Sequence, residues 1–252
     1  MLATGTSQRS RKRLLQQELF PPAGARKAAR CRRTRPGRAG HGCAHEARPE
    51  IEAKYPLHIT LRVVPEVGSL RQPDMYRAVR DASVVAAVRE RIRIIHISIQ
   101  DTHVHLLVEA GDKLALARGM QGFQISVARN VNSVLRTDAV RRRRGPVFAG
   151  RYHVVVIRSP TQARNVLSYV LSNWKKHRAG RGDMPATWLA DPFSSGILFP
   201  DWHERQDEPC LPRLPRGYEP LIVYRPRSWL LACGWKRVGP IRASAIPGQR
   251  PR

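Results

Sequence analysis

Between Tyr55 and His177 the apolar residues alternate between strand-like and helix-like periods. Leu57 to Val64 is β-branched and roughly alternating, which predicts a first strand, β1, ended by Pro65 and Gly68. Residues 74–91 place Met75, Val79, Val84, Val85 and Val88 near helical spacing and predict helix α1. Ile92 to Ile99 is rich in isoleucine and reads as β2, Gln100 to Thr102 as a short turn, and His103 to Ala110 as β3. A link that short makes β2 and β3 an antiparallel hairpin. Leu114 to Leu135 carries Leu116, Met120, Phe123, Val127, Val131 and Val134 at helical spacing, predicting α2. Tyr152 to Ile157 is a fourth strand, β4, Pro160 marks the next helix start, and Ala163 to His177 reads as α3.

The order β-α-β-β-α-β-α predicts an α+β fold. It is the ferredoxin-like split βαβ arrangement on an antiparallel sheet, with one helix added. The pattern divides the chain into three. Residues 1–50 are a basic arm with no apolar period, expected to be disordered; residues 51–180 form the folded domain; residues 181–252 are a Pro-, Gly- and Trp-rich C-terminal tail expected to pack on the core.

Charge narrows the partners. The 252 residues hold 45 Lys and Arg against 19 Asp and Glu, a formal charge of +26. An excess of that size points to a polyanion, of which nucleic acid is the commonest. No apolar stretch is long enough to cross a membrane, and the N-terminus lacks an apolar run and reads Ser-Gln-Arg-Ser-Arg-Lys-Arg from Ser7 to Arg13, which argues against a secretory signal. The four cysteines, Cys31, Cys43, Cys210 and Cys233, are too scattered for a disulfide framework. The expected setting is cytoplasmic and nucleoid-associated, with no membrane partner. Cys31, His41, Cys43 and His45 match no zinc-finger spacing.

Two short patterns carry candidate chemistry. In His103-Val104-His105, alternate strand residues share a face, so both imidazoles point the same way and suit one divalent cation. Two solvated strand histidines would look the same in sequence. On α3, Tyr169 and Asn173 are four apart and lie one above the other. A tyrosine hydroxyl is a nucleophile for phosphorus when a cation polarises the phosphate, and Asn173 would offer an oxygen to that cation. The bland alternative is a core tyrosine beside a surface asparagine. Around them the sequence is basic: Arg141, Arg142, Arg143, Arg144, Arg151, Arg158, Arg164, Lys175, Lys176 and Arg178. Metal pair, phenol and phosphate-binding surface together describe cleavage of a nucleic-acid strand through a phosphotyrosine.

The chain resembles the HUH-type single-tyrosine transposases, and within them the REP-associated tyrosine transposase branch of bacterial genomes. The likeness rests on Pro56-Leu-His-Ile-Thr-Leu-Arg-Val63, on Ser98 to Ala110 around the histidine pair, on Val147-Phe-Ala-Gly-Arg-Tyr-His153 and on Leu167-Ser-Tyr-Val-Leu-Ser-Asn-Trp174. In the tail, Asp191-Pro-Phe-Ser-Ser-Gly196, Arg227-Ser-Trp-Leu-Leu231 and Gly234-Trp-Lys-Arg237 extend it to about residues 45–240. The resemblance implies that His103 and His105 are the histidine ligands, that Asn173 stands where the family places a third ligand, often glutamine, and that Tyr169 is the nucleophile. It implies Mg²⁺ or Mn²⁺ as cofactor, single-stranded or hairpin DNA as substrate, a covalent 5′-phosphotyrosine, and a monomer or homodimer.

Other residues fall around this centre. Tyr152 is a rival nucleophile but sits at a strand start without a helical partner. His58, on β1, is a possible site neighbour. Arg62, Arg141 to Arg144, Arg151, Lys175 and Lys176 are candidate DNA contacts, and Trp174, Phe148 and Tyr152 are candidate stacking platforms for bases. A catalytically inactive, domesticated hairpin-DNA-binding protein would keep the same surface. An RNA-binding sheet is the third reading, but it lacks the aromatic strand motif of RNA-recognition modules.

Overall fold

The computed structural model describes residues 49–88, 92–135, 143–179, 190–206 and 217–248. The basic arm, the cysteine and histidine residues within it, Arg141 and Arg142 lie outside these, as do the side chains of Lys176 and Arg178. The elements run β1 (Leu57–Arg62), α1 (Pro73–Val88), β2 (Arg93–Ile99), β3 (His103–Glu109), α2 (Lys113–Val134), β4 (His153–Val156), α3 (Pro160–Ala179) and a short helix α4 (Trp229–Ala232). Single 3₁₀ turns fill Pro65–Val67, Ser195–Leu198, His203–Gln206 and Gly234–Val238. The strands form one sheet in the order β2-β3-β1-β4, every neighbouring pair antiparallel. This is the split βαβ order expected from the sequence.

Register decides which face each side chain serves. Leu61 pairs with Val104, Ile59 with Leu106 and Leu57 with Val108. These six are buried with Met75, Ala78, Val79 and Ala82 of α1 and with Leu116, Met120, Phe123, Val127 and Val131 of α2. Burying a large aliphatic or aromatic side chain contributes about 1.5–3 kcal/mol, so this layer dominates the stability of the domain. α2 is fixed at its start by Asp112, whose carboxylate accepts from the Ala115 N–H at 2.7 Å.

Two expectations about the helical layer need correction. Val84 and Val85 are 37% and 39% exposed. The stripe α1 buries is Met75, Ala78, Val79, Ala82 and Ala86; spacing of three and four puts small alanines inward and turns the two valines off that face. Val134 is also exposed, at the end of α2, where the helix outruns the sheet.

The C-terminal segments cover what the split βαβ unit leaves open. Ile99 N donates to Phe193 O, Ser98 bridges to Ser194, and Tyr224 N donates to Ile94 O, so the outer edge of β2 is largely paired. Arg71 grips Asp191 through two hydrogen bonds of 2.8 Å, and Asp191 is fully buried. Glu109, at the end of β3, accepts from Arg227 N and Ser228 N at the start of α4. Beyond it, the 234–243 stretch lies along α3: Arg164 donates to Gly239 O and Pro240 O, and Lys175 Nζ donates to Ala243 O.

Candidate active site

The second face of the sheet carries the polar residues. His103 pairs with Arg62 and His105 with Thr60, while on the other side of β1 Thr60 pairs with His153. Directly paired residues share a face, and so do residues two apart on a strand. His58, Thr60 and Arg62 of β1 therefore stand with His103 and His105 of β3 and His153 of β4. α3 packs over this face against β2 and β3. It anchors itself with buried Val166, Leu167, Val170, Leu171 and Trp174, which leaves Tyr169 directed at the histidines.

The distances are short. The His103 and His105 rings have centroids 4.7 Å apart. The Tyr169 ring lies edge-on to His105 at 5.1 Å and to His58 at 6.1 Å. The buried Asn173 side chain, one helical turn on, hydrogen-bonds the Tyr169 hydroxyl. Below the pair, His105 Nδ1 is held at 3.1 Å from His58 Nε2 and 3.2 Å from Thr60 Oγ1.

Burial controls the protonation states here. His58 is pushed down to about 3, first by burial and then by the neighbouring His153 and His103, so it is neutral at ordinary pH. Burial lifts the Tyr169 phenol to about 12, against the opposing pull of the Asn173 hydrogen bond and the positive charge of Arg62. Arg62 and Arg151 are exposed and line, with Thr60, Ala149, Gly150 and His153, a cavity of about 100 Å³ on the β4 side of the same face. A phosphate entering there meets two arginines, whose guanidiniums can bind phosphate oxygens through paired N–H donors.

Two imidazoles and an amide oxygen suit a cation that accepts mixed nitrogen and oxygen donors and keeps several waters. Among the described residues no group of three His, Cys, Asp or Glu is placed to hold a metal ion. The Asn173 amide oxygen, one turn from Tyr169, could serve as a further protein donor, with water or substrate oxygens completing the shell. The residues present fit such an ion.

The structure thus brings together His58, Arg62, His103, His105, Tyr169 and Asn173, with Arg151 at the rim. Arg141, Arg142 and the Lys176 side chain lie outside the described residues; the other candidates are placed as follows. Lys175 is buried with its ammonium on the Ala243 carbonyl, so it is a tie to the tail and not a surface phosphate contact. Trp174 is 1% exposed and packs inside. Tyr152 is buried at the strand start. Arg143 is engaged by Asn132 Oδ1 and Pro146 O, while Arg144 is exposed beside it. Thr60 and His153 were missed. Their signal is the alternation of β1 and β4, which becomes readable only once the sheet order sets β1 between β3 and β4.

The segment that carries the histidine pair and the tyrosine of α3 is also the one that matches a known family. Residues 54–173, just under half of the chain, match the model of the family "Transposase IS200 like". The matched span begins just before β1 and ends at Asn173, so it includes every residue of the site. Among solved structures, the chain is similar to a REP-associated tyrosine transposase bound to a REP hairpin, at 12% identity over 61% of this chain and 82% of that one, with a TM-score of 0.47. It is also similar to a protein described as a transposase from Deinococcus radiodurans R1, at 14% identity over 54% of this chain and 95% of that one, with a TM-score of 0.34. No curated protein matches the chain. No helix among the described residues is long and apolar enough to cross a membrane.

Proposed function

We propose that this chain cleaves and rejoins single-stranded DNA of hairpin-forming, REP-like sequence through a covalent 5′-phosphotyrosine at Tyr169. The observation that carries the reading is the seat of Tyr169: its ring lies 5.1 Å from His105, its hydroxyl is bonded by Asn173, and the exposed Arg62 acts on the same hydroxyl. A tyrosine meant only for packing has no need of a polar ring of this kind.

His103, His105 and the Asn173 amide oxygen would hold Mg²⁺ or Mn²⁺. Once bound, such an ion supplies positive charge to a phosphate oxygen and makes the phosphorus more electrophilic. The protein's own part is binding and positioning. Arg62 and Arg151 receive the backbone, Asn173 aims the phenol, and Tyr169 Oη forms a bond to phosphorus as its proton departs. The bond from phosphorus to the 3′-oxygen breaks, and that oxygen leaves as a 3′-OH after taking up a proton. The reverse attack by a 3′-OH rejoins strands without an external energy source. The exposed arginines, with the basic arm expected from the sequence, add affinity that weakens as salt rises.

The test is a labelled hairpin oligonucleotide from the flanking DNA, incubated with and without Mn²⁺ and resolved under denaturing conditions. A metal-dependent covalent band that Tyr169→Phe lacks supports the reading. Tight binding with no adduct in any divalent metal would instead identify a DNA-gripping relative without catalysis.

A further inference from the structure

We infer that His58 and Thr60 are positioning residues that select the tautomer of His105 and so set its affinity for a metal ion; this rests on the function proposed above. Two polar atoms of β1 converge on a single atom. His58 Nε2 is 3.1 Å and Thr60 Oγ1 3.2 Å from His105 Nδ1, while the ring of His58 lies 5.1 Å from that of His105. With Nδ1 occupied from below by β1, the metal-binding atom of His105 would be Nε2. A neutral imidazole offers a lone pair at one nitrogen only while its proton sits on the other.

The metal-ready form of His105 therefore carries its proton on Nδ1 and donates it to the neighbours on β1. His58 suits that role because it is buried, with a lone pair on Nε2 in one of its own tautomers. An aliphatic residue at 58 would fill the space but leave His105 to choose its tautomer and rotate. Metal-bound histidines are commonly held in this way by a carboxylate or a carbonyl, and losing the holder typically costs about 10–100-fold in metal affinity. Here a second histidine and a threonine on the adjacent strand do it. The register that pairs Thr60 with His105, and sets His58 two residues along the same face, delivers them. The neighbouring His103 is half-buried, with Thr102 Oγ1 at 3.2 Å from its Nδ1.

The experiment is Mn²⁺ binding to the full chain without DNA, read from the free-ion EPR signal, for the unaltered protein and for His58→Leu, His58→Gln and Thr60→Val. His58→Leu should weaken Mn²⁺ binding about 10–100-fold. His58→Gln, whose amide oxygen can still accept from Nδ1, should recover most of that loss, and Thr60→Val should weaken binding by less. Thermal melts run in parallel separate a folding defect from a metal defect, and the glutamine and valine variants remain informative where the leucine variant folds poorly. Unchanged Mn²⁺ affinity in a folded His58→Leu, or glutamine behaving as leucine does, overturns the inference while leaving the proposed strand chemistry standing. Loss of Mn²⁺ uptake only on removing His103 and His105 overturns it equally. Absence of uptake by the unaltered protein would instead remove the metal reading itself.

Discussion

The state of the Tyr169 phenol sets a measurable slope. Burial lifts its pKa from the usual 10 to about 12 in the absence of a cation. Two units correspond to about 2.7 kcal/mol against the phenolate, and at pH 8 only ~10⁻⁴ of the molecules carry it. If the phenolate is the attacking form, the single-turnover rate of adduct formation should rise about tenfold per pH unit between pH 6 and 9. A nearby dication lowers the phenol pKa, but levelling the profile across this range would require a drop of roughly six units. Arg62→Gln removes the positive charge that opposes burial. It should slow the reaction about 3–10-fold at every pH while leaving the slope intact, the effect of one charge in partly screened surroundings. The assay is quenched-flow or manual sampling of a labelled hairpin at saturating metal, with Tyr169→Phe as the blank. A rate that stays flat from pH 6 to 9 would refute deprotonation of Tyr169 as the controlling step, and cleavage by Tyr169→Phe at the normal rate would remove Tyr169 from the chemistry.

Three further outcomes follow from packing and burial. Asp191→Ala strands the Arg71 guanidinium, which is only 10% exposed, and should cost about 3–5 kcal/mol in urea unfolding; a loss below 1 kcal/mol would show the pair to be ornamental. His96, buried against Ser195 Oγ at 3.1 Å, has its pKa lowered from 6.5 to about 4 by burial. A depressed folded pKa means this stability is present above pH 6.5 and lost as pH falls through 4, roughly 3 kcal/mol in all; His96→Gln should make the urea midpoint less sensitive to acid, and an identical acid slope would contradict the assignment. Gly119 of α2 faces Ile92 so closely that an added Cβ would sit 2.4 Å from Ile92 Cγ2. Gly119→Ala should therefore cost about 1–3 kcal/mol, and less in an Ile92→Ala background, which removes both clashing Cγ atoms; a stabilised single variant would disprove the clash.

The sheet and its helices were legible because each is a long segment with its own period, and β2 and β3 are linked too tightly to do anything but pair. Half of the site was legible for the same reason, since two residues apart on a strand and four apart on a helix are statements of facing. What was hidden depends on contacts far apart in sequence. Asp191, Glu109 and Ser195 tie the tail to the core one hydrogen bond at a time, with no repeat to betray them. Lys175 shows the consequence: on α3 alone its charge reads as surface, but the 234–243 stretch covers that side of the helix and draws the ammonium onto Ala243 O. His153 and Thr60 escaped because their partner strands, not their own, make them part of the site.

The charges of the site predict how metal and DNA depend on one another. The residues gathered there are imidazoles, a phenol, an amide and guanidiniums, and among the described residues no cluster of three His, Cys, Asp or Glu exists to offset a dication. A cation held by His103 and His105, as proposed, would share this face with the positive Arg62 and with no carboxylate cluster among the described residues, so it should bind weakly to the protein alone. A DNA phosphate supplies the missing negative charge to both, so each ligand should strengthen the other by the same factor. With Tyr169→Phe to prevent turnover, Mn²⁺ should bind at least about tenfold more tightly when a hairpin oligonucleotide is present, and the hairpin should gain as much from Mn²⁺. Replacing Mn²⁺ by a matching concentration of a cation that does not bind imidazole should abolish the gain, which separates site coupling from general screening. Equal Mn²⁺ affinity with and without DNA would mean that metal and phosphate do not share this face, and the geometry of Tyr169 over the histidine pair would need another explanation.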